Sequence, residues 1–354
     1  MNFELSSDHQ LLSDTLRRYF MDHASVDKRN ESAYTGTFHS AELWKGLVEL
    51  GMLGAFVTEE HGGLGGSAGD IAVVFEEVGR ALCAEPLLGV LLGLRLLTAH
   101  DQNQAAEAVM SGQQRVALAV FEPGVSHDLS CLESTAVCSD GQWYLSGRKT
   151  SIYGAPGAEL VLVVAKTDQG TGVFLVRSPD MIVSSMVDGG GIAELRMQDL
   201  PAECLSEQAQ GVLEDTLNLG RIALCAEAVG AMDWLVNTTI DYLKQRQQFG
   251  KPLSSFQVLQ HRVVDMVNDL EQARSIMLLA ATSFATADQI RHTAMAKNLI
   301  GRVATRIAEE CIQLHGGIGM TWEYPGSHYA KRLIMIDHQL GDRFDHASTL
   351  ARTL

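Results

Sequence analysis

The sequence predicts an α+β protein of several domains: a helical segment, a β-rich segment and a helical bundle, in that order. Three observations carry the prediction. The chain has 354 residues, more than one hydrophobic core usually organises. Apolar residues recur at helical spacing in the first third and again from about residue 206. Between these regions, short β-rich runs alternate with Gly and Asp turns. The boundaries are placed at 1–112, 113–206 and 207–354.

Ser7 and Gln10 give a capping-box signal, and Leu12, Leu16, Tyr19 and Phe20 then mark one apolar helix face. A second helix is expected at 40–50, stopped by Gly51. "EEHGGLGGSAGD" (59–70) reads as a loop, followed by an amphipathic helix at about 70–82. The longest apolar stretch, "PLLGVLLGLRLLTA" (86–99), is too short to span a bilayer and carries Arg95, so a buried helix is expected and no membrane association.

The period changes near 111–115. "RVALAVFEP", "STAVCS", "QWYLSG", "ELVLVVAK" and "TGVFLVRS" follow, separated by "DG", "GAPGA" and "DQGTG", which predicts an antiparallel sheet or barrel. Gly189, Gly190 and Gly191 read as a turn within it, because no helix clearly follows to make a phosphate loop. Long helical segments are expected at 208–247, 254–286 and 288–314, the first two broken at Gly250–Pro252.

The formal net charge of -16 argues against a nucleic-acid partner. Cys83, Cys131, Cys138, Cys204, Cys225 and Cys311 form no C-x-x-C pair and no metal-spaced cluster. They read as reduced thiols, mostly in packing roles, and no metal ligand is expected. The start, "MNFELSSDHQ", lacks a basic region followed by an apolar run, so a cytoplasmic location is expected.

Four ordered segments resemble the acyl-CoA dehydrogenase family: "LWKGLVELGMLGAFVTEEHGGLGGS", "ALAVFEPGVSHDLS", "RQQFGKPLSSFQVLQHRVVDM" and "QLHGGIGMTWEYP". The resemblance implies a helical domain, an antiparallel β-barrel and a four-helix bundle. It further implies FAD at a dimer interface and α,β-dehydrogenation of an acyl-CoA thioester, with electrons passed to an electron-transfer flavoprotein. A carboxylate of the enzyme removes the α-proton in that reaction.

Taken alone, Arg246 reads as a helix-end arginine on the dipole, Phe249 as core, Gln257 and Gln313 as solvated, and Gly316–Gly317 as a helix-ending turn. Within the matched segments they read as cofactor-binding residues. Arg246 would hold the pyrophosphate, Phe249 the flavin edge, and Gln257 and Gln313 would be amide ligands. Gly316 and Gly317 would admit the adenosine diphosphate. In the family these residues reach a neighbouring subunit's flavin. Positions that hold a subunit's own flavin depart from the pattern. Phe121 replaces a threonine, Ser126–His127–Asp128 replaces Gly-Ser-Asp, and Ser151–Ile152–Tyr153 replaces Trp-x-Thr/Ser. Losing that indole should cost about 1 kcal/mol or more of cofactor binding.

The base is missing too. The family's usual glutamate, 24 residues beyond the first glycine of the Gly-Gly pair, corresponds to Leu340, with the expected glycine present as Gly341. A second known position precedes an arginine matched by Arg221, and here it is Gly220. No residue is therefore assigned as catalytic. Asp337, His338, Asp342 and Glu323 are the available substitutes. The pattern resembles the non-catalytic partner of heterotetrameric acyl-CoA dehydrogenases of bacterial steroid side-chain degradation. Such a subunit shares FAD with a second dehydrogenase subunit. The alternatives are a self-sufficient homotetramer with a relocated base and a non-catalytic acyl-CoA-binding scaffold.

Overall fold

The computed structural model describes residues 6–124 and 127–353. Six helices come first: α1 (Ser7–His23), α2 (Val26–Ala33), α3 (Ala41–Glu49), α4 (Ala68–Arg80), α5 (Leu87–Ala99) and α6 (Asn103–Met110). Seven strands follow: β1 (Val116–Ala119), β2 (Thr135–Ser139), β3 (Gln142–Tyr153), β4 (Leu160–Thr167), β5 (Gly170–Arg177), β6 (Ile182–Ser185) and β7 (Gly191–Ser206). Then come α7 (Gln210–Gln245), a short hairpin of β8 (Gln247–Gln248) and β9 (Lys251–Pro252), α8 (Gln257–Thr282), α9 (Gln289–His315), α10 (Pro325–His338) and α11 (Arg343–Arg352).

Local chemistry sets the helix ends. Ser6, not Ser7, caps α1: its hydroxyl accepts the His9 amide, leaving Ser7 as the first helical residue. Ser40 lies just outside α3 as its N-cap, and Gly51 follows the helix at φ 76°, as expected. Pro86 opens the buried helix α5, and no described helix is long and apolar enough to cross a membrane.

The chain divides into two units. One comprises Arg29–Ser67 and Ala84–Gly220, the other the residues up to Lys28, Ala68–Cys83 and Arg221 onward, so the division falls inside α7.

The Arg29–Gly220 unit holds the seven-stranded sheet. Its hydrogen-bonded path closes into a small ring through β4, β2, β3, β7, β5 and back to β4, with β1 and β6 attached to β4 and β7. The sheet is mixed rather than purely antiparallel: β1 and β2 both pair parallel to β4. The long excursions between those strands permit parallel pairing, which a tight hairpin forbids. Leu145, Ile152, Val161, Val163, Phe174 and Leu195 fill its core. Gly189 turns between β6 and β7 at φ 87°, as expected.

The other unit packs α1, α4, α8, α9, α10, α11 and the C-terminal part of α7 into a helical assembly. Helices α4 and α7 cross at backbone contact. A Cβ at Gly79 would lie 1.9 Å from the Glu227 carbonyl oxygen, and one at Gly230 would lie 1.8 Å from that of Glu76. Charged side chains flank the crossing. Arg80 pairs with Glu76, Glu77 and Asp233, Arg274 pairs with Glu76, and Arg332 forks onto Glu227 at 2.6 and 2.7 Å. Helix α9 packs against α8, α10 and α11.

Candidate cofactor-binding site

Three helix ends meet in the helical unit. The Tyr242 hydroxyl, near the end of α7, donates to the His315 carbonyl at 3.3 Å, and the two rings stack with centroids 4.3 Å apart. Arg262 of α8 donates to Glu310 of α9 at 2.7 Å, so these antiparallel helices bring the start of α8 beside the end of α9. The six cofactor residues expected from the sequence all sit at these ends. Arg246 follows α7, Phe249 lies in the β8–β9 turn, and Gln257 opens α8. Gln313 is in the last turn of α9, and Gly316 and Gly317 begin the 3₁₀ turn Gly316–Met320.

All six are exposed. Among the described residues the Arg246 guanidinium has no ion-pair partner. Phe249 is 90% exposed and adopts φ 54°, an uncommon conformation for an aromatic residue. Gly316 takes φ 68°, and a Cβ added to it or to Gly317 would meet no atom within 4 Å. Packing within the chain therefore does not demand glycine at 317. Met320 (74%) and Trp322 (50%) extend the exposed apolar surface. A free fork-shaped cation, open glycine backbone, amide groups and an unburied ring suit a dinucleotide such as FAD.

Position 340, where the sequence resemblance expects a base, is filled by packing. Leu340 is 1% exposed, adopts φ 56°, and its carbonyl accepts the Arg221 Nε hydrogen at 3.0 Å. Lys297, 2% exposed, donates to the carbonyls of Ile336 (2.8 Å), Asp337 (3.3 Å) and Gln339 (2.8 Å) at the end of α10. Burial lowers its ammonium to about 8. Two of the four substitute carboxylates and imidazoles are engaged. Asp337 is buried, accepts the Arg343 amide and pairs with its guanidinium at 3.5 Å. Asp342 caps α11 by accepting the Phe344 and Asp345 amides, and Asp345 returns the bond to the Asp342 amide. His338 and Glu323 are exposed.

In the β unit, Phe121 is half-buried and meets His127 edge-on at 4.7 Å; Ser126 lies outside the described residues. Ser151 sits at φ 51° in an irregularity of β3, and Tyr153 ends that strand half-buried. A buried ion pair lies beneath. Lys149 donates to the Val120 carbonyl and to Glu122 at 2.5 Å, and Glu122 also takes the Glu133 and Ser134 amides. Burial, against the pull of Glu122, brings Lys149 down to about 8.

Sequence reasoning missed Lys149, Lys297, His315 and Tyr324. Their partners are backbone carbonyls or residues brought near only by the fold, so spacing carries no trace of them. The cysteines divide evenly: Cys83, Cys225 and Cys311 are buried, while Cys131, Cys138 and Cys204 are wholly or partly exposed, so packing describes only half of them. No metal-holding cluster occurs among the described residues.

The acyl-CoA dehydrogenase N-terminal domain matches residues 6–102, and the acyl-CoA dehydrogenase C-terminal domain matches residues 210–336. The human mitochondrial short-chain specific acyl-CoA dehydrogenase is 30% identical over 357 residues, covering 92% of this chain and 85% of that protein. A solved variant of the steroid ACAD Tcur3481-Tcur3483 is 28% identical with a TM-score of 0.90, covering 98% of this chain and 97% of that one. The ChsE4-ChsE5 complex from Mycobacterium tuberculosis shares the fold, with a TM-score of 0.92 at 22% identity over 99% and 98% of the two chains. The chain therefore belongs to the acyl-CoA dehydrogenase family of oxidoreductases.

Proposed function

We propose that the chain is a subunit of a heteromeric acyl-CoA dehydrogenase, lacks a base of its own, and completes the FAD site of a partner subunit. One observation carries this. The residues that would face a neighbour's cofactor are exposed at the helix ends, whereas the position for a base is a leucine packed at 1% exposure. Capping duties at Asp342 and the Arg343 pairing of Asp337 support the same view. The steroid ACAD that resembles this chain is named for two polypeptides, which supports a two-subunit assembly and a steroid-derived acyl group.

In this reading Arg246 binds the cofactor diphosphate, Gly316 and Gly317 let it approach, and Gln257 and Gln313 orient it by amide hydrogen bonds. FAD, when bound, supplies the hydride acceptor. Phe249 shields its edge from water. The proton of the substrate is taken by the partner's carboxylate, and this chain supplies no acceptor at 220 or 340. The acyl-CoA thioester, an electron-transfer flavoprotein, a cytoplasmic location and a three-domain division at 1–112, 113–206 and 207–354 with a four-helix bundle belong to the same proposal.

Flavin absorbance and acyl-CoA turnover of the chain, alone and co-expressed with a catalytic acyl-CoA dehydrogenase subunit, test the proposal. Alone, the chain should hold little flavin and show no turnover; the complex should hold flavin and be active. Stoichiometric FAD with full turnover from the chain alone would sink it. A complex devoid of flavin and activity with every partner would point to a scaffold instead.

A further inference from the structure

The Gly316–Met320 turn is open on its outer side, so its shape is set from beneath. His315, the last residue of α9, is 4% exposed and lies between two rings, Tyr242 at 4.3 Å and Tyr324 at 4.5 Å between centroids. Both of its nitrogens are engaged. Nδ1 lies 2.8 Å from the Cys311 carbonyl, which can only accept, so Nδ1 carries a hydrogen. Nε2 lies 2.7 Å from the Tyr324 hydroxyl. Burial lowers the basicity of His315 and raises the Tyr324 phenol, so the ring is neutral and the hydroxyl donates to Nε2.

Residues 315 and 324 bracket the exposed loop between α9 and α10. Their hydrogen bond closes that loop at its base. Gly319 folds inward against the same support: a Cβ there would lie 2.9 Å from the Ile312 carbonyl oxygen and 3.2 Å from the His315 Cβ. A loop carrying three glycines loses much conformational entropy on ordering, so a fixed closure matters more than in a loop of bulkier residues.

We propose that His315, locked by Tyr324, is a positioning residue that sets the shape of the Gly316–Gly317 surface on which a dinucleotide lies. It acts through the glycines and does not touch the cofactor. The inference rests on the reading of this surface as a contact for a partner's FAD.

Three variants separate this role from simple packing. Tyr324→Phe keeps the ring and removes the hydroxyl. His315→Gln offers an amide oxygen to Tyr324, and His315→Leu offers nothing. In the chain alone, the amide resonances of Gly316, Gly317 and Gly319 should shift and exchange faster in Tyr324→Phe and His315→Leu, and stay near wild type in His315→Gln. Melting curves report folding separately. In the flavin-containing complex, FAD should dissociate about three- to tenfold more readily from Tyr324→Phe, more from His315→Leu, and almost normally from His315→Gln. Unmoved glycine amides in Tyr324→Phe and His315→Leu overturn the role, as do moved amides with unchanged FAD affinity. A wild-type complex without flavin overturns the underlying reading and this inference together, and it is seen before any variant is compared.

Discussion

At single residues, the buried carboxyl of Glu85 and the packed Leu340 yield sharp expectations. Glu85 is 7% exposed; one oxygen accepts the Ser40 amide at 2.8 Å and the other has no hydrogen-bond partner among the described residues. Burial, opposed by that amide and by Arg115, pushes its carboxyl up to about 7. A raised folded-state value means the folded chain holds this proton more tightly than the unfolded chain does. The resulting stabilisation is complete below about 4.5 and lost as pH rises through about 7. Glu85→Gln should therefore raise stability at pH 8 by up to about 3 kcal/mol and flatten the pH dependence between those limits. Urea titrations at pH 5 and pH 8 check this, and an equal effect at both would refute it. Leu340→Glu restores a carboxylate at the family's position. It should give no acyl-CoA turnover in the isolated chain, because Ser151 leaves no indole to stack on a resident flavin. Turnover from that variant alone would show a self-contained site.

Among elements, the α4–α7 crossing is the most demanding. Gly230→Ala places a methyl group 1.8 Å from the Glu76 carbonyl oxygen, and backbone cannot rotate away as a side chain can. The helices must separate, straining the ion pairs around Arg80, at an expected cost of about 3 kcal/mol or more. Gly211, also in α7, faces open space, and Gly211→Ala should stabilise by up to about 1 kcal/mol. Denaturant midpoints of the two variants should move in opposite directions; a shared direction would mean the crossing yields more easily than its geometry indicates. Elements whose ends are written locally were legible in the sequence, such as α3 between Ser40 and Gly51. Short ones were not: α2 and α6 span 8 residues each, too few to show a period. The parallel pairing of β1 with β4 was equally hidden, because strand partners across forty residues leave no mark on alternation.

At the scale of the whole molecule, the order of helical, β and helical regions was legible because period changes are visible along the chain. That α1 and α4 group with the C-terminal helices was not, since such grouping depends on contacts between distant segments. The candidate site divides the same way. Arg246, Phe249 and the glycines stood out in ordered motifs, whereas the supports beneath them emerged only from the fold. Because Arg246 is exposed and has no ion-pair partner among the described residues, Arg246→Ala should leave the melting temperature of the chain unchanged. In the complex it should weaken FAD retention about tenfold or more, as expected for a lost charge-assisted fork. A flavin content equal to wild type after gel filtration would contradict this. The loop at Leu340 carries one last consequence. Arg221 grips its backbone oxygen and Lys297 grips the neighbouring carbonyls, so the hydrogen-bonded anchors of the loop do not involve the side chain at 340. A substitution there removes a buried apolar side chain but none of these hydrogen bonds. In the proposed reading, the backbone frame around 340 is therefore independent of whether a carboxylate stands there.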